Sequence, residues 1–168
     1  MAIMAAAAIM TPATVLTGTD GHYATVTIVQ DVAFPANAVW QVVGDWGNQD
    51  VGAGFVKRVE TSGKSVGDTR TLFLSAQYGG GKVSERLEDY DALRMTYRYS
   101  LVDYGLVPWA NYSARLTVAA VGAENARFVF EAKMIPAGVA AKEATAISVA
   151  NMRAYLVNLD KILAARRR

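Results

Sequence analysis

The chain contains no cysteine and a single histidine, His22. The first absence excludes disulfides, thiolate nucleophiles and thiolate metal sites. The second excludes a histidine-based triad and leaves no His/Asp/Glu cluster with the spacing of a metal site. His22 is therefore read as a surface residue, and no metal or cofactor is expected. Charge of one sign is also scarce. Seventeen basic and 15 acidic residues give +2, or −1 without the terminal Arg166, Arg167 and Arg168. With no basic groove rich in aromatics, nucleic acid is not an expected partner. The apolar runs are too short to form an integral membrane segment. Gly79-Gly80-Gly81 lacks the strand and helix that frame a nucleotide-binding glycine loop.

What the chain does have is apolar mass. At 168 residues and 52 % hydrophobic content, it is long enough for one domain with a sizeable core. Residues 1–10 (MAIMAAAAIM) are apolar but lack a basic n-region, since the first basic residue is Lys57. Two readings stay open: a loosely packed tail of a cytoplasmic protein, or a clipped export signal of a periplasmic or exported one. The expected division is an apolar tail over residues 1–21 and one domain over residues 22–166, as a monomer or homodimer.

Residues 23–32 alternate as a first strand. Phe34-Pro35-Ala36-Asn37 opens a short helix with Val39, Trp40, Val42 and Val43 on its apolar face. Residues 48–54 suggest a second short helix or a turn. Strands follow over 55–60, 69–76, 82–90, 93–102, 111–121 and 127–135. The glycine loop at 78–81 and a loop at 103–110 carrying Leu106-Val107-Pro108-Trp109 interrupt them. Residues 140–166 form a helix roughly 40 Å long. Its stripe of Thr145, Ser148, Met152, Leu156, Leu159 and Leu163 recurs at three- and four-residue steps. The leucines sit towards one end and the hydroxyls towards the other, as if one end sealed a core and the other lined a cavity. The expected fold is α+β: about seven curved antiparallel strands gripping one long C-terminal helix, with two short helices after the first strand.

This order resembles the START-like helix-grip (SRPBCC) superfamily, in particular bacterial polyketide cyclase/dehydrase-type proteins. The strings carrying the resemblance, over roughly residues 22–166, are Phe34-Pro35-Ala36-Asn37-Ala38-Val39-Trp40 with Asp45-Trp46, Val66-Gly67-Asp68-Thr69-Arg70, Glu85-Arg86-Leu87, Asn111-Tyr112 and Ile135-Pro136-Ala137-Gly138. It implies a cavity for a small aromatic or lipid-like molecule, without implying one reaction. The same strings resemble the plant abscisic-acid receptors. Here, however, Ala76-Gln77-Tyr78-Gly79-Gly80-Gly81 and Leu106-Val107-Pro108-Trp109 replace the gate and latch motifs, and Ala53 takes the place of the carboxylate-binding lysine. Hormone reception is therefore rejected.

Strand parity nominates the site residues. Val83, Glu85 and Leu87 share a face, as do Arg70, Leu72, Leu74 and Ala76, and the resemblance places Arg70 and Glu85 inside the cavity. Three readings of that pair remain: a structural ion pair, direct ligand contact, or proton transfer by Glu85. Met95, Tyr97, Tyr99 and Leu101 form the inward face of the fifth strand, with Tyr97 read as core. Tyr99 and Tyr112 are read as pocket lining and, with Glu85, as candidate catalytic groups. Ligand contacts are expected from Arg70, Leu72, Leu74, Tyr78, Glu85, Tyr99, Leu101, Trp109, Tyr112, Thr145, Ser148 and Met152. Tyr78 and Trp109 are placed in loops at the cavity mouth. On the seventh strand, Phe128, Phe130, Ala132 and Met134 form the apolar register, whereas the resemblance puts Val129 and Glu131 inward. The leading function is binding of a small hydrophobic, aromatic or polyketide-like molecule. The alternatives are a cofactor-independent cyclase, dehydratase or aldol-type enzyme, and a lipid carrier or envelope-pathway accessory protein.

Overall fold

The alternation of residues 23–32 becomes strand β2 (Tyr23–Val32), whose Ala24, Val26, Ile28 and Val32 are buried on one face. The computed structural model describes residues 10–78 and 80–167, with the Tyr78 side chain excepted. The tail reading of residues 1–9 and the expected ligand contact of the Tyr78 side chain lie outside the described residues. Around β2 the chain builds β1 (Thr14–Asp20), α1 (Ala36–Val43), β3 (Val56–Thr61), β4 (Thr69–Leu74), β5 (Lys82–Asp91), β6 (Thr96–Asp103), β7 (Trp109–Ala120), β8 (Ala126–Pro136) and α2 (Ala141–Arg166). The strands form one antiparallel sheet in the order β1-β2-β8-β7-β6-β5-β4-β3. The fold is thus α+β helix-grip. The second short helix is a 3₁₀ turn at Asp50–Gly52. Among the described residues, no helix is long and apolar enough to cross a membrane.

The sheet has eight strands rather than about seven. The added strand is β1, inside the stretch read as tail. It forms a regular hairpin with β2, from Thr14↔Val29 to Asp20↔Tyr23. Six of its seven residues are exposed. With almost nothing to bury, it carries no apolar alternation, so period-two reading passes over it.

The β8 register is the apolar one. Phe128, Phe130, Ala132 and Met134 are buried, while Glu131 is exposed and faces outward with Val129. An unbroken ladder with β2, from Ala24↔Met134 to Val32↔Ala126, holds this phase. A one-residue slip would turn four apolar side chains to solvent. The bulge lies instead on β7, where the register with β8 shifts between Ala110 and Ser113 and Asn111 takes φ 46°.

The core closes where α2 crosses the concave face. Leu156, Leu159 and Leu163 are buried with Val39, Val42 and Val43 of α1 in one cluster. Asn158 of α2 donates to the Val51 and Ala53 carbonyls, tying the helix to the 3₁₀ turn. After β6, Gly105 takes φ 52°, and a Cβ there would lie 1.9 Å from the Lys82 carbonyl oxygen. Gly105→Ala should therefore cost more than the roughly 1–2 kcal/mol of left-handed strain alone. Gly21→Ala, at φ 58° with nothing within 4 Å, carries the strain without the clash. Thermal melts of the two variants separate the effects. Equal losses would show that the β5–β6 end relaxes freely around position 105.

Candidate functional site

Between the concave sheet and α2 lies a partly open cavity with a charged group at one end. Arg70 on β4 and Glu85 on β5 are directly opposed in the ladder, so their side chains share a face. Arg70 Nε donates to Glu85 Oε2 at 2.5 Å, and Nη1 donates to the Trp46 carbonyl at 2.9 Å. The guanidinium lies 3.8 Å over the Trp46 ring and 5.5 Å from the Tyr99 ring. The side chains are only 14 % and 8 % exposed. Burial is the largest single influence and works against the Arg70 charge, but Glu85 together with Tyr97 and Tyr99 outweighs it, and the guanidinium is held above its ordinary pKa. The pair is a fixed, charged wall of the cavity.

From this wall a run of aromatic rings follows the sheet. Ring centroids lie 5.9 Å apart for Trp46 and Tyr97, 6.0 Å for Tyr97 and Tyr99, 6.1 Å for Tyr99 and Tyr112, and 4.9 Å for the stacked Tyr112 and Trp109. Trp109 is not a loop residue at the mouth. It opens β7, is buried, and donates from Nε1 to the Ala144 carbonyl at 3.1 Å. The β7 bulge explains why Trp109 and Tyr112, three residues apart, both face inward.

Burial pushes the Tyr112 phenol up, opposed by the neighbouring hydroxyls of Tyr99 and Ser148. Burial raises the pKa of Tyr97, Tyr99, Tyr112 and Tyr155. These phenols are therefore neutral hydrogen-bond donors at neutral pH. The linkage sign is that of a group whose folded pKa lies above its unfolded value. The stability contribution is complete below about pH 10 and is lost as pH rises towards the folded pKa. An alkaline titration should show these four phenolates appearing together with unfolding, while exposed tyrosines ionise first. Smooth ionisation of all eight tyrosines in a folded chain would contradict this burial.

The cavity has two chambers. The inner one, about 100 Å³, is bounded by Arg70, Leu72 and Leu74 of β4, Val83 and Glu85 of β5, and Tyr97, Tyr99 and Leu101 of β6. Trp109, Tyr112, Leu116 and Phe130 close it from β7 and β8, and Ser148, Asn151, Met152 and Tyr155 from α2. An outer chamber of about 310 Å³ adjoins it and shares Leu74, Val107 and Asn151. Of the residues nominated from sequence, Arg70, Leu72, Leu74, Glu85, Tyr99, Leu101, Trp109, Tyr112, Ser148 and Met152 are brought together here.

Thr145 is not. It is buried, donates to the Lys142 carbonyl at 3.1 Å, and borders a groove shared with Thr17, Gly18 and Thr19 of β1. The first turn of α2 rests against the unforeseen β1, so the hydroxyl end of the stripe begins one turn before the cavity does. Phe55, Val83, Val107, Leu116, Phe130, Asn151 and Tyr155 were not nominated as ligand contacts, and Tyr97, read as core, also reaches the cavity. Asn151 and Tyr155 follow Ser148 at three and seven residues, so helical spacing contained the signal.

Chemically, the site offers a paired carboxylate, neutral phenols and a serine hydroxyl in an apolar enclosure. Among the described residues, no group of three His, Cys, Asp or Glu could hold a metal ion.

Residues 23–164 match the family described as polyketide cyclase / dehydrase and lipid transport. No curated protein matches the chain. Among solved structures, the Zhui aromatase/cyclase from Streptomyces sp. R1128 aligns with TM-score 0.75 at 19 % identity, over 88 % of this chain and 97 % of that one. The protein XoxI from Bacillus cereus aligns with TM-score 0.75 at 17 % identity, over 86 % and 98 %. An uncharacterized protein from Bacillus thuringiensis aligns with TM-score 0.72 at 18 % identity, over 82 % and 97 %. At these identities the three share the fold.

Proposed function

The chain belongs to the polyketide cyclase/dehydrase and lipid transport family, and from that premise we propose that it binds a small hydrophobic molecule carrying an aromatic ring in the inner chamber. The observation behind this is the wall of rings from Tyr97 to Trp109, with the phenols of Tyr99 and Tyr112 in reach of Ser148 and the Arg70–Glu85 pair closing one end. Stacked rings accept a planar apolar guest, and neutral phenols orient its polar edge. A uniformly apolar tunnel would suit a lipid carrier; the charged end favours a ring with oxygen substituents.

A cyclase or dehydratase is the second reading. In its favour, neutral phenols among apolar groups donate to an oxygen that gains charge, such as an enolate. Against Glu85 as a free base, its Oε2 already accepts from Arg70. Tyr99 and Tyr112 are thus the stronger candidates for stabilising developing charge.

Titration of the intact protein with 4-hydroxyacetophenone, followed by calorimetry, tests the binding reading. Met152→Trp should reduce affinity at least tenfold by filling the inner chamber, with an overpacking cost of about 1–3 kcal/mol in stability. Unchanged affinity in a folded Met152→Trp variant would place the ligand elsewhere.

A further inference from the structure

We propose that the ligand spans both chambers and that Asn151, at their junction, selects a carbonyl or hydroxyl lying between a ring and an apolar tail. This rests on the ring-binding reading above. The inner chamber of about 100 Å³ is smaller than the roughly 150 Å³ apolar cavity that admits benzene. It holds at most a single ring, so any larger ligand continues into the outer chamber of about 310 Å³.

The chambers differ in chemistry. The inner one carries Arg70, Glu85, Tyr99, Tyr112 and Ser148. The outer one is bounded by Leu74, Leu106, Val107, Pro108, Ile147 and Ala150, beside the backbone of Gly80, and among the described residues its one polar side chain is Asn151. Asn151 borders both chambers. It is half-buried and makes no side-chain hydrogen bond to the described residues. Asparagine is also a poor helix former. A polar residue that weakens its helix, borders an apolar chamber and bonds to none of the described residues is a local conflict of the kind that marks function. A guest that displaces water from this amide leaves it unpaired unless the guest supplies a partner. A carbonyl accepts from its NH₂ group, a hydroxyl serves either end, and a plain methylene does neither.

The test uses the full chain and two probe series: 4-hydroxyphenyl alkyl ketones of increasing chain length, and 4-alkylphenols of matching length that lack the carbonyl. In the parent, affinity should rise up to about fourfold per methylene until the outer chamber is full. Each ketone should bind about two- to tenfold tighter than its alkylphenol. Asn151→Leu should abolish that advantage and leave the alkylphenols bound as tightly or more so, with melting unchanged or raised. Asn151→Ala is the second variant, with the same expected loss of discrimination. Ile147→Trp should flatten the chain-length dependence and leave 4-hydroxyacetophenone binding intact.

If 4-hydroxyacetophenone binds but affinity is flat with chain length, the two-chamber proposal falls and ring binding stands. It also falls if a folded Asn151 variant keeps the ketone preference, or weakens both series equally. If no probe binds the parent, both readings fall.

Discussion

Glu85→Gln should lower the melting temperature by roughly 10 °C or more, and adding Arg70→Met should restore more than half of that loss. Removing one partner of a buried ion pair leaves the other charge uncompensated, at about 3–5 kcal/mol. In a domain of this size each kcal/mol shifts melting by about 2–4 °C. The geometry puts this pair in that class. Both side chains are nearly excluded from solvent, and an arginine guanidinium stays protonated in proteins, so Arg70 does not neutralise when Glu85 is lost. The double variant removes the orphaned charge, but the Trp46 carbonyl then loses its donor, so recovery is incomplete. Near-normal melting and ligand affinity in Glu85→Gln, with turnover alone abolished, would make Glu85 a catalytic base and refute the structural reading.

Trp46→Ala should destabilise the fold by roughly 3–5 kcal/mol, and Trp46→Phe by less than half as much. Trp46 is 2 % exposed. It supports Arg70 by stacking and through its carbonyl, and it contacts the rings of Tyr97 and Tyr99. Alanine leaves a void beneath the charged pair, into which Arg70 can drop away from Glu85. The indole N–H is itself buried with no partner among the described residues. Phenylalanine keeps the stacking face and removes that unpaired donor, offsetting part of its smaller volume. Chemical denaturation of both variants gives the two numbers. A Phe variant as damaged as the Ala variant would show that the indole edge, rather than its face, holds the site together.

Most of the sheet and the long helix were legible because half-buried elements carry their environment as a period. The alternation of β2, the parity of Glu85 with Val83 and Leu87, and the leucine stripe of α2 all read directly. The missing elements each break that condition. β1 is exposed on nearly every residue, so no period exists to detect. The bulge at Ala110–Ser113 shifts parity by one, and Trp109 therefore read as a loop residue although it faces the same cavity as Tyr112. Thr145 shows what a stripe leaves open: periodicity names the buried face of a helix but not which part of the sheet each turn meets. Asn151 was missed because the stripe, which admitted Thr145 and Ser148, was followed from Ser148 to Met152 by the four-residue step, and the three-residue step that also faces the cavity was not taken.

The strand order has a consequence for the making of the protein. Strands β3 to β8 follow one another both in the chain and in the sheet, so each from β4 onward can pair with the strand synthesised just before it. β2 pairs at once with β1 on one edge. Its other neighbour is β8, about a hundred residues later, from Val32↔Ala126 to Ala24↔Met134. At roughly 5–20 residues per second, the β1–β2 hairpin leaves the ribosome some 5–20 s before that partner exists. Throughout that interval Val26 and Ile28, later among the most buried side chains, have no sheet to join. The nascent chain therefore carries the apolar face of β2 uncovered, and the sheet closes only after synthesis of β8 is complete.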